Sequence, residues 1–139
     1  MSIEWSEWTT LDQLPDHRGH AVYRIRLCES GTVISIQRFF DCDDEGILCI
    51  GKSTNLKSRL QSFKRVIKIG RGHYEGHRLY ILQKRLNEKF PNRTYEYSFI
   101  KVDPDKEGEL EEKEIKEYFY RFGEVPPLNS ALPKPRVAV

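Results

Sequence analysis

No stretch of this chain is apolar for long enough to cross a bilayer, cysteine is sparse, and neither a repeat nor a low-complexity segment occurs. The first lack excludes a membrane-spanning helix, which needs on the order of 20 consecutive apolar residues. The opening residues Met1, Ser2, Ile3, Glu4 and Trp5 lack the basic and apolar regions of a secretory signal, which together with the missing span predicts a cytoplasmic, intracellular protein. The three cysteines, Cys28, Cys42 and Cys49, are odd in number and form no CxxC pair. That excludes a disulfide framework and a zinc ribbon, and reduced thiols are expected. What remains is an ordinary folding composition, 38% hydrophobic and 32% charged over 139 residues, enough for one domain with its own core.

The formal net charge of +2 conceals a strong asymmetry. From Lys52 to Arg93 twelve cations stand against Glu75 and Glu88, a formal +10, so the rest of the chain sums to −8. Much of that acid lies between Asp103 and Glu117. A basic run is commonly just a solvated helical face, but separation on this scale points to a phosphate-binding surface. The candidate contacts are Lys52, Lys57, Lys64, Arg65, Arg71 and Arg78, with DNA as the expected partner.

Periodicity sets out the elements. Residues 1–18, with Trp5, Trp8, Leu11 and Leu14, read as a cap on the core, followed by the turn-prone Asp16, His17, Arg18 and Gly19. Tyr23, Ile25 and Leu27 alternate with Arg24 and Arg26, a half-buried strand. Thr32 to Ile36 is a β-branched run, and an acidic loop from Asp41 to Glu45 leads into a central strand, Gly46 to Ile50. Leu56, Leu60 and Phe63 then recur at helical spacing, with Ser53 or Thr54 as N-cap and an end near Val66. A second helix carries Leu79, Leu82, Leu86 and Phe90 up to Pro91, and Tyr95, Tyr97 and Phe99 mark a third strand. A charged helix runs from about Lys106 to Phe122, stopped by Gly123 and by Pro126 and Pro127. The order predicts a small α/β sandwich with a central three-stranded, largely antiparallel sheet flanked by helices. The domain spans 19–130 and a proline-interrupted tail 131–139.

Several of these residues stand in a familiar order. Ala21-Val22-Tyr23 and Cys49-Ile50-Gly51 resemble the paired tripeptides of the GIY-YIG nucleases, and Gly51 to Leu60 resembles that family's segment with an arginine on the first helix, here Arg59. Leu110 to Tyr118 resembles the helix that carries a metal-binding glutamate, and Pro126-Pro127-Leu128-Asn129 resembles the terminal proline-asparagine motif. The likeness covers roughly Gly19 to Asn129. It implies a GIY-YIG fold and a divalent-metal-dependent endonuclease that hydrolyses DNA, or alternatively a nucleic-acid-binding module with that fold and little activity.

In this reading Tyr23 orients or deprotonates water, Arg59 contacts the phosphate, Glu111 binds Mg²⁺ or Mn²⁺, and Asn129 holds the site together. His73, in a loop resembling one that carries a histidine before a glycine, contacts phosphate or moves a proton. Each has a plainer alternative: Tyr23 as a packed strand aromatic, Arg59 as a snorkelling cation, Asn129 as a turn residue, His73 as an exposed loop side chain. Glu111 begins a stripe with Ile115, Tyr118, Phe119 and Phe122, and is either a metal ligand or a rim carboxylate favoured by the helix dipole. Glu114 and Glu117 are the other acids that can serve. Three departures bear on activity: Cys49 replaces the usual tyrosine, Phe63 stands where many members have histidine, and the interval from Glu111 to Asn129 is long. A homodimer or a partner protein would supply specificity.

Overall fold

The computed structural model describes residues 4–70, 74–130 and 132. Its centre is β2 (Ala21–Glu29), a nine-residue strand paired on both edges and covered on both faces. Along one edge it pairs antiparallel with β7 (Arg93–Lys101), from Ala21 opposite Lys101 to Glu29 opposite Arg93. Along the other it pairs antiparallel with β6 (Ile47–Ser53), from Ala21 opposite Ser53 to Arg26 opposite Ile47, with a bulge between Ile25 and Arg26. Beyond that bulge the short β3 (Thr32–Val33) takes over the edge, and β1 (Thr9–Thr10) lies outside β7. The expected three long strands are present and every pairing is antiparallel, while two-residue strands widen the sheet. The predicted run from Thr32 to Ile36 is broken, because β4 (Ile36–Gln37) leaves the sheet to form a separate ribbon with β5 (Cys42–Asp43).

Period-two alternation in β2 sorts its side chains between two helical layers. Tyr23, Ile25 and Leu27 face α1 (Leu56–Ile69), joining Leu56, Leu60 and Phe63 in one apolar cluster with Leu79 of α2 (Tyr74–Ile81). Val22 faces the other way, clustering with Ile47, Ile50 and Ile100 against Leu110, Ile115, Tyr118 and Phe122 of α4 (Glu107–Phe122). Trp5 and Trp8 close this second face: the Arg24 guanidinium lies 4.3 and 4.5 Å from their ring centres, and that of Arg26 lies 4.2 Å from Trp8. The N-terminal segment expected as a cap runs along β7, where Ser6 N–H donates to Phe99 and Leu11 N–H to Tyr95.

Other differences from the sequence reading have local causes. The expected single second helix is two, α2 and α3 (Gln83–Lys89), with Leu82 at the joint; Leu82 is 46% exposed, so it leaves the apolar stripe. The N-cap of α1 is Asn55, whose side-chain oxygen accepts from Ser58 N–H, while Ser53 accepts from Asn55 N–H. The acidic loop hides one buried member. Asp43 is 2% exposed and accepts from the N–H groups of Glu45, Gly46 and Ile47 and from the Tyr118 hydroxyl. Four bonds offset its desolvation.

The tightest constraint lies where β2 meets β6. Gly51 is opposite Tyr23, and a Cβ added there would stand 2.5 Å from both the hydroxyl oxygen and the ring carbon that bears it. The ring is fully enclosed and cannot swing away. Gly51→Ala is therefore expected to destabilise the fold by about 1–3 kcal/mol through overpacking, measured by urea unfolding. The cost should shrink markedly in a Tyr23→Ala background. An equal cost in both backgrounds would show that the ring is not the obstacle.

Candidate functional site

The edge of β6 around Gly51 gathers residues that are remote in sequence. Helix α1 starts at a defended terminus: Leu56 N–H donates to Gly19 and Lys57 N–H to His17, so two of the N–H groups that a helix start leaves unpaired are satisfied by the loop before β2. This fixes the first turn, and Arg59, between the buried Leu56 and Leu60, extends toward the sheet. Its Nε donates to the Tyr23 hydroxyl at 2.9 Å. That hydroxyl overlies Gly51, so the bond forms at the strand position where a side chain is missing.

Asn129 meets the same strand from outside. Its side-chain oxygen accepts from Ile50 N–H at 2.9 Å and its amide donates to Ile50 C=O at 3.0 Å, while Leu128 N–H donates to Leu48 C=O at 2.8 Å. The segment after Pro126 and Pro127 thus pairs with the outer edge of β6 as a short strand would, and the asparagine side chain mimics a backbone unit.

Lys52 follows Gly51 and lies opposite Val22, so it projects on the α4 side of the sheet. It is exposed, and its Nζ reaches the first turn of α4, 3.3 Å from where a Cβ on Gly108 would stand. Beside it, Glu107 is 9% exposed and its carboxylate is 2.9 Å from His20 Nδ1. A hydrogen bond from its own backbone N–H, then His20, holds its pKa below the usual carboxylate range against the opposing effect of burial, and Lys52 adds to the lowering. One turn further on, Glu111 is half-buried on the same side of α4.

The buried stripe of α4 is Glu107, Leu110, Ile115, Tyr118 and Phe122. Phe119, expected on it, is 39% exposed, because the helix turns its 115, 118 and 122 positions inward and carries 119 to the rim. Of the other acids considered, Glu114 is half-buried, its pKa raised by burial and by Glu117, and Glu117 is exposed and 4.0 Å from Lys113.

Of the six cations expected on nucleic acid, the five described ones are spread out. Lys57, Lys64 and Arg65 run along α1, and Lys64 is 3.4 Å from Asp12. Arg78 donates to Pro127 C=O at 3.2 Å, whereas Lys52 lies across the sheet over α4. Arg71 and His73 lie outside the described residues. Cys49 and Phe63, two of the three departures from the pattern of the resemblance, are 1% and 0% exposed in the α1-side core.

Sequence reasoning missed His20 and Glu107. Among the described residues, His20, Asp105 and Glu107 offer ligand atoms that all lie within 4.8 Å of one another, a group able to hold a metal ion. His20 adjoins the first tripeptide and Glu107 opens the last helix, but no spacing rule links positions so far apart. No protein-family model matches the chain, and neither does any curated protein or solved structure. Fold and site together define a small α/β domain in which a phenol, a guanidinium and an amide meet on one sheet edge. No helix of the described residues is long and apolar enough to cross a membrane.

Two measurements check this geometry. Asn129→Ala removes both side-chain bonds to Ile50 and is expected to cost about 1–3 kcal/mol of unfolding free energy. No loss would mean that water replaces the amide at that edge. Because the folded pKa of Glu107 lies below its unfolded value, its contribution is complete above about pH 4.3 and fades as the pH falls through the lowered value. The stability gap between wild type and Glu107→Gln should therefore narrow on acidification, and a gap constant with pH would contradict the lowered pKa of Glu107.

Proposed function

We propose that the chain is a divalent-metal-dependent endonuclease of the GIY-YIG type that hydrolyses DNA phosphodiester bonds. The observation that carries the reading is the 2.9 Å bond between Arg59 and Tyr23 above Gly51. Three positions of the family resemblance, separated along the chain, meet at one strand edge, and Asn129 grips the residue before Gly51.

The phosphate is met by Arg59, whose guanidinium is suited to a forked contact with two oxygens. Tyr23 is 1% exposed, so its part is to hold that guanidinium rather than to take a proton from water. Lys52, exposed on the opposite, α4 side of the sheet, adds a second positive charge at the first turn of α4. Glu111 is a hard oxygen donor on a solvent-reaching side of α4, which suits Mg²⁺ or Mn²⁺. A divalent ion bound there supplies offset of phosphate charge and acidification of water. With a domain this small, cutting both strands of a duplex at a chosen place calls for a second copy or a partner protein.

The second reading, a nucleic-acid-binding module without cleavage, is favoured by one observation. The positions where the family places further proton-transfer groups, Cys49 and Phe63, are buried and apolar in character. Incubation of supercoiled and branched DNA with Mg²⁺, Mn²⁺ or EDTA separates the two. Metal-dependent nicking that falls by about 10²-fold or more in Arg59→Ala and in Glu111→Ala supports the endonuclease, the size expected when one charge-stabilising contact is lost. Binding without nicking supports the module, and nicking that persists in both variants removes the site assignment.

A further inference from the structure

We propose that His20, Asp105 and Glu107 bind a divalent ion of the borderline class, Mn²⁺, Co²⁺ or Zn²⁺, and that a phosphoryl anion shared with Lys52 completes its coordination. The ion site stands apart from the endonuclease reading; only the identity of the anion rests on it.

Two acids at the start of a helix are an ordinary match to its dipole and by themselves make no site. Here a third donor comes from a residue 87 positions away in sequence. Val102 N–H donates to His20 C=O at the close of the β2–β7 pairing, and the turn from Asp103 to Lys106 then leads directly into α4. The imidazole is thereby brought against the buried Glu107 carboxylate, and Asp105 stands in the turn at their side.

An ion lies about 2.0–2.2 Å from nitrogen and oxygen donors, which places neighbouring donors roughly 3–4 Å apart. The observed group, within 4.8 Å, needs a shift of about an ångström, and the exposed Asp105 is free to make it. An imidazole among the donors selects against Mg²⁺ and Ca²⁺, which take oxygen ligands. Three protein ligands leave open positions, the pattern of a site that receives a further ligand rather than a structural one.

Lys52 indicates what that ligand is. Its ammonium lies over Gly108, the residue after Glu107, where the missing side chain gives it room. The Glu107 carboxylate already offsets part of the repulsion between this ammonium and the ion, and an anion taken up at an open position of the ion would be drawn to the ammonium as well. Ion and anion should then strengthen each other's binding by the same factor, since coupling between two sites is reciprocal.

The test uses the full chain stripped with chelator. Co²⁺ is followed by its visible spectrum, Mn²⁺ by electron paramagnetic resonance and Zn²⁺ by calorimetry, each with and without inorganic phosphate. We expect one ion per chain at the His20 group, apart from any Mn²⁺ held by Glu111, bound there about tenfold or more weakly in His20→Ala and in Asp105→Asn, in line with the usual cost of disturbing a metal's ligands or their supports. Asp105 is exposed, so that variant keeps the fold even where His20→Ala melts early. Glu111→Ala should bind the ion as wild type does, and phosphate should tighten binding in wild type but not in Lys52→Ala.

Binding absent at millimolar ion, unchanged in both ligand variants, or lost in Glu111→Ala overturns the site. Binding indifferent to phosphate overturns the shared anion. A chain that binds the ion through His20 and cuts no DNA would sink the endonuclease reading while supporting this one. Undiminished Mg²⁺-dependent cutting, with no ion bound at His20, would do the opposite.

Discussion

Everything in this fold is referred to the contact between the Tyr23 ring and the bare backbone of Gly51. A strand paired on both edges and packed on both faces has little freedom of register, because a shift by one residue would exchange its two sets of side chains. In β2 that exchange would bring Arg24 and Arg26 beneath α1 and send Tyr23 and Ile25 toward α4. The ring adds a sharper condition, since it fits only opposite a residue without a Cβ. Arg59 depends on the same condition, because its partner is the hydroxyl that this packing delivers to the strand edge.

The two helical layers differ in charge as well as in position. The layer of α1 to α3 and its flanks carries the basic segment, and α4 carries much of the acid. Between them the sheet acts as an apolar partition, and Lys52 is the cation of β6 that lies on the acidic side. Together with the N-cap Lys106, this strand cation changes the field at the head of α4. Glu107 stays ionised beside it, and an anion approaching the helix start meets an ammonium as well as the positive end of the dipole.

Much of the architecture was legible because it follows from periodicity. Alternation at Tyr23, Ile25 and Leu27, helical spacing at Leu56, Leu60 and Phe63, and the stop at Gly123 all correspond to observed elements. Where reading failed, tertiary terms outweighed local ones. The two-residue strands are held by edge pairing that leaves no pattern in so short a run. Asp43 looked like one acid among several and is buried only because three amides and the Tyr118 hydroxyl converge on it. Phe119 and Leu82 are apolar at stripe positions, yet Phe119 lies at the rim of α4 and Leu82 at the joint between α2 and α3, and both are exposed. The site divides in the same way. Tyr23, Arg59 and Asn129 could be named from motif order, whereas the pairing of His20 with Glu107 depends on how β7 hands the chain to α4.

The enclosure of Tyr23 redirects any chemistry at this edge. A phenol with an ordinary pKa near ~10 needs solvent access or a strong neighbouring charge to act as a base at neutral pH. At 1% exposure, with its oxygen engaged by a guanidinium, Tyr23 is better placed to orient than to exchange protons. Cys49 and Phe63 are buried with it on the same side. The titratable groups of the site with access to water therefore lie on the other side of β6, at Lys52, His20 and the acids of the first turns of α4. If this edge cleaves a phosphodiester, the guanidinium on one face of the sheet fixes the phosphate, and the protons move on the opposite face, where Lys52 and His20 reach solvent.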